Sequence, residues 1–407
     1  MKILVQKFGG SALGNIHRIK EAAAIARRSV NEGYSVVAVA SAMGDTTDDL
    51  LELSNAFDAK KSKREMDLLL STGEQVAASL LAMALNCDNI PANAYTGWQA
   101  GIITDSAFGT AAIKRIQSSQ LHRCLKQKRV AVVTGYQGMA EDGAITTLGR
   151  GGSDTTALAL AVALKAERCD IYTDVDGIYS CDPRLCASAF TYESVSFFEM
   201  LNFARAGAQV MAPSAMEIAR NHDVPIRVRS AFNLRNPGTL ITQNTAGTDF
   251  LGVACDQQQE IFACPSADSL AELANLQNLR AGAADLGITM EVVCRVGRKN
   301  ANKAYFSVGN RHVLNAPELL KQLAKELKLP LEYKRSLAKV SIIGQFPNTN
   351  DTINKVFSCL MRNKICPRYW TIENGNRVSI WIQSSELKAA VEPLHHLLVE
   401  ERLQVPA

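Results

Sequence analysis

The stretch from Gly149 to Asp182 limits what this chain can fold into more than any other. It runs Gly149-Arg150-Gly151-Gly152-Ser153-Asp154-Thr155-Thr156, continues through an Ala/Leu-rich segment, and then reads Ile171-Tyr172-Thr173-Asp174-Val175-Asp176-Gly177-Ile178-Tyr179 before Asp182-Pro183-Arg184. Glycines around an arginine leave backbone N–H groups open to an anion. A helix starting at Ser153 and Asp154, whose side-chain oxygens suit capping, adds the positive end of its dipole. A phosphate or carboxylate placed there would also meet Arg150. The same residues equally describe a capped loop entering a core helix.

The pattern of strand, glycine turn and helix recurs along the first 240 or so residues, as in α/β chains. Lys2–Phe8 has the composition of a buried parallel strand and runs into Gly9-Gly10-Ser11, followed by a helix over about 16–32. Neither a P-loop nor a Gly-x-Gly-x-x-Gly fingerprint is present, because the lysine precedes the glycines, at Lys7. A lysine at the crevice end of an apolar strand reads as a phosphate ligand. A second strand, 34–40, ends in Ser41-Ala42-Met43-Gly44-Asp45-Thr46-Thr47, and Ser71-Thr72-Gly73-Glu74 opens a helix through Leu85, where Glu74 could simply serve the helix dipole. Ala131–Gly135 is a further strand ending in glycine, and Asp142-Gly143 marks a hairpin turn. Helices over 197–208 and 214–221 and strands at 225–228 and 237–241 complete an α/β domain with a mostly parallel sheet.

A polar stretch at 243–249 separates this region from two weakly similar βαββα units, an internal repeat of about 70–75 residues, each like a ferredoxin-like half-sandwich. The predicted domains are 1–242, 250–330 and 335–407.

Charge and cysteine usage exclude several classes. A net charge of +4 over 407 residues does not point to nucleic acid, and the basic run Lys60-Lys61-Ser62-Lys63-Arg64 reads as a solvated loop. Ten cysteines without a Cys-x-x-Cys pair, beside six histidines, predict reduced thiols and argue against a zinc site or a disulfide framework. Cys181 and Cys186 read as buried or incidental. No apolar run reaches the roughly 18 residues of a membrane span, and the N-terminus enters a strand directly, so no signal segment is expected. The expected location is the cytoplasm.

Taken in order, these motifs resemble aspartate kinase of the amino-acid kinase superfamily. The residues that carry the resemblance are Lys7-Phe8-Gly9-Gly10-Ser11, Ser41 to Thr47, Ser71 to Glu74, Thr147 to Thr156, Thr173 to Gly177, Asp182-Pro183-Arg184 and Pro225-Ile226-Arg227-Val228-Arg229-Ser230. The match covers residues 2–241, and the remainder resembles the family's tandem ACT domains. The resemblance implies a three-layer αβα kinase domain and phosphoryl transfer from ATP, with Mg²⁺, to the β-carboxylate of L-aspartate. The product, 4-phospho-L-aspartate, opens the route to lysine, threonine and methionine.

The same resemblance assigns roles. Lys7, Gly9, Gly10 and Ser11 would cradle the transferring phosphate. Ser41, Thr47, Glu74, Arg150, Gly151, Gly152 and Ser153 would hold aspartate, with Glu74 on its amino group and Arg150 on its α-carboxylate. Thr173, Asp174, Tyr179, Asp182 and Arg184 would line the nucleotide pocket, and Asp154 would organise Lys7. No metal is assigned to protein ligands alone. A homodimer or dimer of dimers through the ACT units is implied, with no nucleic-acid or membrane partner.

Three positions depart from the family pattern. Ala12 stands where a second hydroxyl is common, and Gln209 where many members carry a lysine near ATP, which predicts a raised KM for ATP. The segments 265–269 and 345–350 lack the usual effector-loop glycines, so weak or absent inhibition by lysine and threonine is expected. Two other readings stay open: a kinase of a related small acid on the same fold, and a non-catalytic amino-acid-sensing partner.

Overall fold

The computed structural model describes residues 1–54, 56–57, 62–208, 210–243, 251–265, 270–285, 288–296, 303–309, 316–344, 346, 349–373 and 375–397. Gln209, residues 244–249 and 266–269, and residues 345, 347 and 348 of the 345–350 segment lie outside the described residues. The chain forms two compact units: Met1–Ile178 with Thr191–Leu201 and Gln209–Ala246, and Tyr179–Phe190 with Asn202–Ala208 and Gly247–Ala407.

The first unit opens with β1 (Ile3–Phe8), α1 (Ile16–Asn31), β2 (Ser35–Ala40), α2 (Thr46–Ser54), α3 (Lys63–Leu70) and α4 (Thr72–Cys87). It continues with β3 (Ala92–Tyr95), β4 (Ile102–Thr104), β5 (Ile113–Ile116), α5 (Ser119–Lys126), β6 (Val130–Thr134), β7 (Gln137–Ala140) and β8 (Ile145–Thr147). Then come α6 (Gly152–Ala163), β9 (Arg168–Thr173), β10 (Ser194–Ser196), α7 (Phe197–Ala206, which runs out of this unit), α8 (Pro213–His222), β11 (Ile226–Ser230) and β12 (Thr239–Thr242).

Eight strands form an open sheet in the order β10-β12-β11-β9-β1-β2-β6-β3, parallel except for β11 against β12. β1 lies at its centre, with β2 on one side and β9 on the other, in register at Lys7↔Val39 and Lys7↔Ile171. The strand order reverses there, so the turns after β1, β2 and β9 open on one crevice at the carboxyl edge. Alternation along β1 decides what each side chain meets. Gln6 bonds Ser29 of α1 at 3.0 Å, and Phe8 packs in the apolar cluster with α1 and α4. Lys7, one residue out of phase, faces α6. A second sheet, β5-β4-β7-β8, carries the hairpin that leads into Gly149.

Two expectations change in this unit. Lys63 and Arg64 stand exposed in the first turn of α3 and are not in a loop, while Lys60 and Lys61 lie outside the described residues. Ser71 keeps right-handed helical angles (φ −61°, ψ −17°), so Lys63–Cys87 is one helical stretch, long and apolar enough by length and composition to cross a membrane. Half of its most apolar window is buried within the protein.

The second unit contains β13 (Leu251–Pro265), α9 (Leu270–Asp285), β14 (Met290–Arg295), β15 (Lys303–Gly309) and α10 (Ala316–Glu326). The order repeats as β16 (Glu332–Gly344), α11 (Thr349–Arg362), β17 (Tyr369–Glu373), β18 (Arg377–Ile382) and α12 (Leu387–His395). Both βαββα repeats are therefore present, and their strands join into one closed sheet, β13-β15-β14-β17-β18-β16. The long β13 and β16, each extending beyond the expected strand, make most of that junction. Cys181 and Cys186 are buried free thiols in the apolar cluster of this unit.

Candidate active site

The turn after β1 is built backbone against backbone. Gly9 donates its N–H to the Tyr172 carbonyl at 3.0 Å, and Gly44 donates to the Gly10 carbonyl at 3.0 Å. A Cβ on Gly10 would sit 3.1 Å from the Ala42 oxygen and 3.2 Å from the Gly44 oxygen, both backbone atoms, so glycine lets the turns after β1 and β2 approach more closely than a larger residue would without a shift. Ser11 is exposed at the start of a short 3-10 turn, whereas Ala12 is buried in the apolar cluster. A Cβ at position 12 faces the core.

Lys7 projects from the end of β1 to an ion pair with Asp154, Nζ to Oδ1 2.7 Å, with the two side chains 13% and 10% exposed. Asp154 lies in the first turn of α6, but not as a cap. The N-cap is Gly151 at φ 76°, and no side chain caps this helix. The expectation that Ser153 and Asp154 cap α6 is corrected: two left-handed glycines, Gly149 (φ 74°) and Gly151, bring the chain into the helix. That leaves Asp154 for Lys7 and leaves Arg150 exposed between the glycines. Gly135, just after β6, allows α6 this position, since a Cβ there would come 2.5 Å from Ser153 Oγ and 3.0 Å from its Cα. Gly135→Ala is expected to lower stability by about 1–3 kcal/mol through overpacking. Calorimetry alongside the KM values checks this, and an unchanged Tm would count against the close packing.

Glu74 is the most unusual acid of the site. It is 3% exposed, and one carboxylate oxygen accepts the Ala42 N–H at 3.2 Å. The other oxygen, Oε2, is buried with no hydrogen-bond partner. Burial pushes its pKa up to about 7, against the pull of the backbone donors. Gly73 lies against Ala42 and Thr46, which brings the start of α4 to the turn after β2. Ser41 and Thr47, on that turn and at the start of α2, are half-buried.

Tyr136, Thr147 and Asp67 complete this end of the site, and none of them is among the expected site residues. Tyr136 holds a left-handed backbone (φ 69°), and its N–H reaches Thr156 Oγ1 at 3.1 Å. Burial is the main cause that pushes its phenol up to about 12. A Thr147 hydrogen bond and the Arg150 charge oppose that shift, while the Glu74 and Asp67 charges add to it. Tyr136 thus lies within the field of both proposed aspartate ligands. A lone acid in the run Met66-Asp67-Leu68-Leu69-Leu70 is a sequence signal that could have exposed Asp67. For Tyr136 there is none.

Among the nucleotide residues, Thr173 and Asp174 stand at the end of β9, next to β1. Thr173 Oγ1 donates to Asp174 Oδ1 at 3.0 Å, and Asp174 is exposed. Tyr179, Asp182 and Arg184 belong to the second unit. There the Arg184 guanidinium pairs with Asp182 at 2.8 Å and the Arg184 N–H meets the same carboxylate at 2.9 Å.

An open parallel sheet with a lysine–glycine turn at its switch point, facing an acid in the first turn of a helix, defines a phosphotransferase-type α/β site. The model of the amino acid kinase family matches residues 2–230. The chain is 39% identical to an aspartokinase of Geobacillus stearothermophilus over 100% of both chains. It is also 39% identical to aspartokinase 2 of Bacillus subtilis over 97% of each. The structure of E. coli aspartokinase III in complex with aspartate and ADP has a TM-score of 0.82 at 23% identity, covering 97% of this chain and 99% of that one, and so shares the fold. The chain belongs to the amino acid kinase family, in its aspartokinase branch.

Proposed function

We propose that this protein transfers the γ-phosphoryl group of ATP to the β-carboxylate of L-aspartate. The observation that carries this reading is the buried Glu74 oxygen without a partner, in a chain whose full-length relatives are aspartokinases. A buried carboxylate oxygen with no donor calls for a cation, and the ammonium of an α-amino acid supplies one with three donors. Arg150 then takes the α-carboxylate in a two-pronged pair, helped by Ser41, Thr47 and the Gly151-Gly152-Ser153 backbone. The β-carboxylate is left as the group directed at Lys7.

A carboxylate is already ionised at neutral pH, so the reaction needs no general base. The β-carboxylate oxygen attacks the γ-phosphorus, and the bond from phosphorus to the bridging oxygen breaks. ADP leaves with that electron pair. Positive charge and in-line placement do the catalytic work, through the Lys7 ammonium fixed by Asp154 and the backbone around Gly9, Gly10 and Ser11. Thr173, Asp174, Tyr179, Asp182 and Arg184 are assigned to the nucleotide.

Among the described residues no group of three His, Cys, Asp or Glu could hold a metal ion. Mg²⁺ is commonly bound through one or two carboxylates together with substrate phosphates. The exposed Asp174 is the carboxylate that would hold it, since Asp154 is committed to Lys7. When bound, Mg²⁺ neutralises developing charge on the phosphate oxygens.

We assign residues 1–242 to catalysis and 250–330 and 335–407 to ACT-like units. Pairing of those units into a homodimer, weak feedback by lysine and threonine, supply of lysine, threonine and methionine synthesis, and a cytoplasmic location complete the proposal. The test is ATP-dependent acyl-phosphate formation trapped as the hydroxamate, with glutamate as control and lysine and threonine added singly and together. Turnover on aspartate is expected. Its absence in folded, ATP-binding protein would overturn the assignment, and potent inhibition at sub-millimolar lysine or threonine would overturn the regulatory part.

A further inference from the structure

Asp67 is a carboxylate in the core of the first unit that the mechanism above does not use. It is 1% exposed, on the inner face of α3, and no ion pair reaches it among the described residues. Three donors satisfy it. Oδ2 accepts the Gly109 N–H at 3.0 Å and the Thr147 N–H at 2.8 Å, and Oδ1 accepts the Thr147 hydroxyl at 2.8 Å.

Those donors come from two segments that build the arginine turn. Thr147 ends β8, three residues before Arg150. Gly109 lies in the loop before β5, where its carbonyl would be 3.1 Å from a Cβ on Gly149. The Ala111 N–H also bonds the Thr147 carbonyl at 2.9 Å, so the loop, the strand end and the turn are one assembly with Asp67 at its centre.

The same helical stretch carries Glu74, seven residues on. Between them, the Ser71 carbonyl accepts the Gln137 Nε2 at 2.8 Å, and Gln137 pairs with Thr147 in the β7–β8 ladder. The hairpin that delivers Arg150 is thus tied to the α3–α4 segment that delivers Glu74. A neutral side chain would not do the same work. Asparagine could keep the two backbone N–H bonds on its carbonyl oxygen, but its N–H₂ would then face the Thr147 hydroxyl, which loses its acceptor and has to turn its proton away.

We propose that Asp67 is a positioning residue that sets the distance between Glu74 and Arg150, and thereby holds the ammonium and α-carboxylate sites in register for an α-amino acid. It touches neither substrate, and the inference rests on the assignment of Glu74 and Arg150 to the ammonium and the α-carboxylate.

The test compares wild type, Asp67→Asn, Thr147→Val and the double variant for kcat, both KM values and Tm. Asp67→Asn is expected to raise KM for aspartate about tenfold or more, as displaced positioning groups do. KM for ATP should stay within about twofold. Thr147→Val, which removes one of the three bonds, should move in the same direction by less. The double variant should be no worse than Asp67→Asn alone, since both changes break one network. Equal shifts in both KM values, or a fall in Tm with KM for aspartate unchanged, would show a structural role only and overturn the proposal. If Asp67→Asn does not fold, the split between the two KM values of Thr147→Val decides. Wild type that turns over aspartate while the variants show no split sinks this inference alone. Wild type inactive on aspartate sinks the functional assignment and this inference with it.

Discussion

Lys7→Ala is expected to lower kcat for aspartate phosphorylation by about three orders of magnitude or more, with KM for aspartate little changed. The reason is where the charge acts. An ammonium held 2.7 Å from Asp154, in a pair only about a tenth exposed, is already oriented before the phosphoryl group moves. It therefore stabilises developing charge without reorganisation, in surroundings where that interaction is worth more than in water. The variant also leaves the Asp154 carboxylate buried and unpaired, which costs about 3–5 kcal/mol of stability. The double variant Lys7→Ala/Asp154→Asn separates the two effects: stability should return, while turnover should not. Near-normal kcat in folded Lys7→Ala would remove Lys7 from catalysis.

Glu74→Gln is expected to raise KM for aspartate about a hundredfold, because the buried oxygen that would meet the ammonium loses its charge. The same substitution should erase a pH dependence. In the free protein burial holds the Glu74 pKa at about 7. Only the ionised form binds the ammonium, so kcat/KM for aspartate should rise with pH through about 7 and then level. Stability of the free protein should run the opposite way. The folded pKa lies above the ordinary carboxylate value of 4.5, so the folded state binds more protons across that window. Its stability therefore falls as pH rises from about 4.5 to about 7, by up to ~3 kcal/mol. Glu74→Gln should flatten both curves. A rising kcat/KM limb that survives in the variant would assign the titration to another group.

Much of this site can be read from the sequence because phosphate binding makes local demands. A glycine turn at a strand end lets backbone amides approach an anion. The segments Lys7–Ser11, Ser41–Thr47 and Gly149–Ser153 therefore carry their chemistry in their order and composition. The βαββα repeat is legible for a similar reason, since its periodicity changes within a few residues at each boundary. Where reading failed, the deciding contact was remote or geometric. Ser153 and Asp154 have the composition of caps, yet left-handed glycines on either side of Arg150 set the helix start and left Asp154 to Lys7, 147 positions away.

The sequence by itself determined the class of the elements that carry the motifs, the α/β alternation, the glycine turns and the identity of the groups that carry charge. Tertiary structure decided which of them meet. The position of β1 between β2 and β9 turned separate strand ends into one crevice, and the alternation of β1 sent Lys7 to α6 and Gln6 to α1. Burial between distant segments raised the Glu74 pKa and gave Asp67 its three donors. The joining of β13 with β16 closed two repeats into one sheet. Propensity and turn chemistry act over a few residues and are written along the chain. Desolvation and long-range pairing depend on what the fold packs around a group, and that is set only when the strands have taken their order.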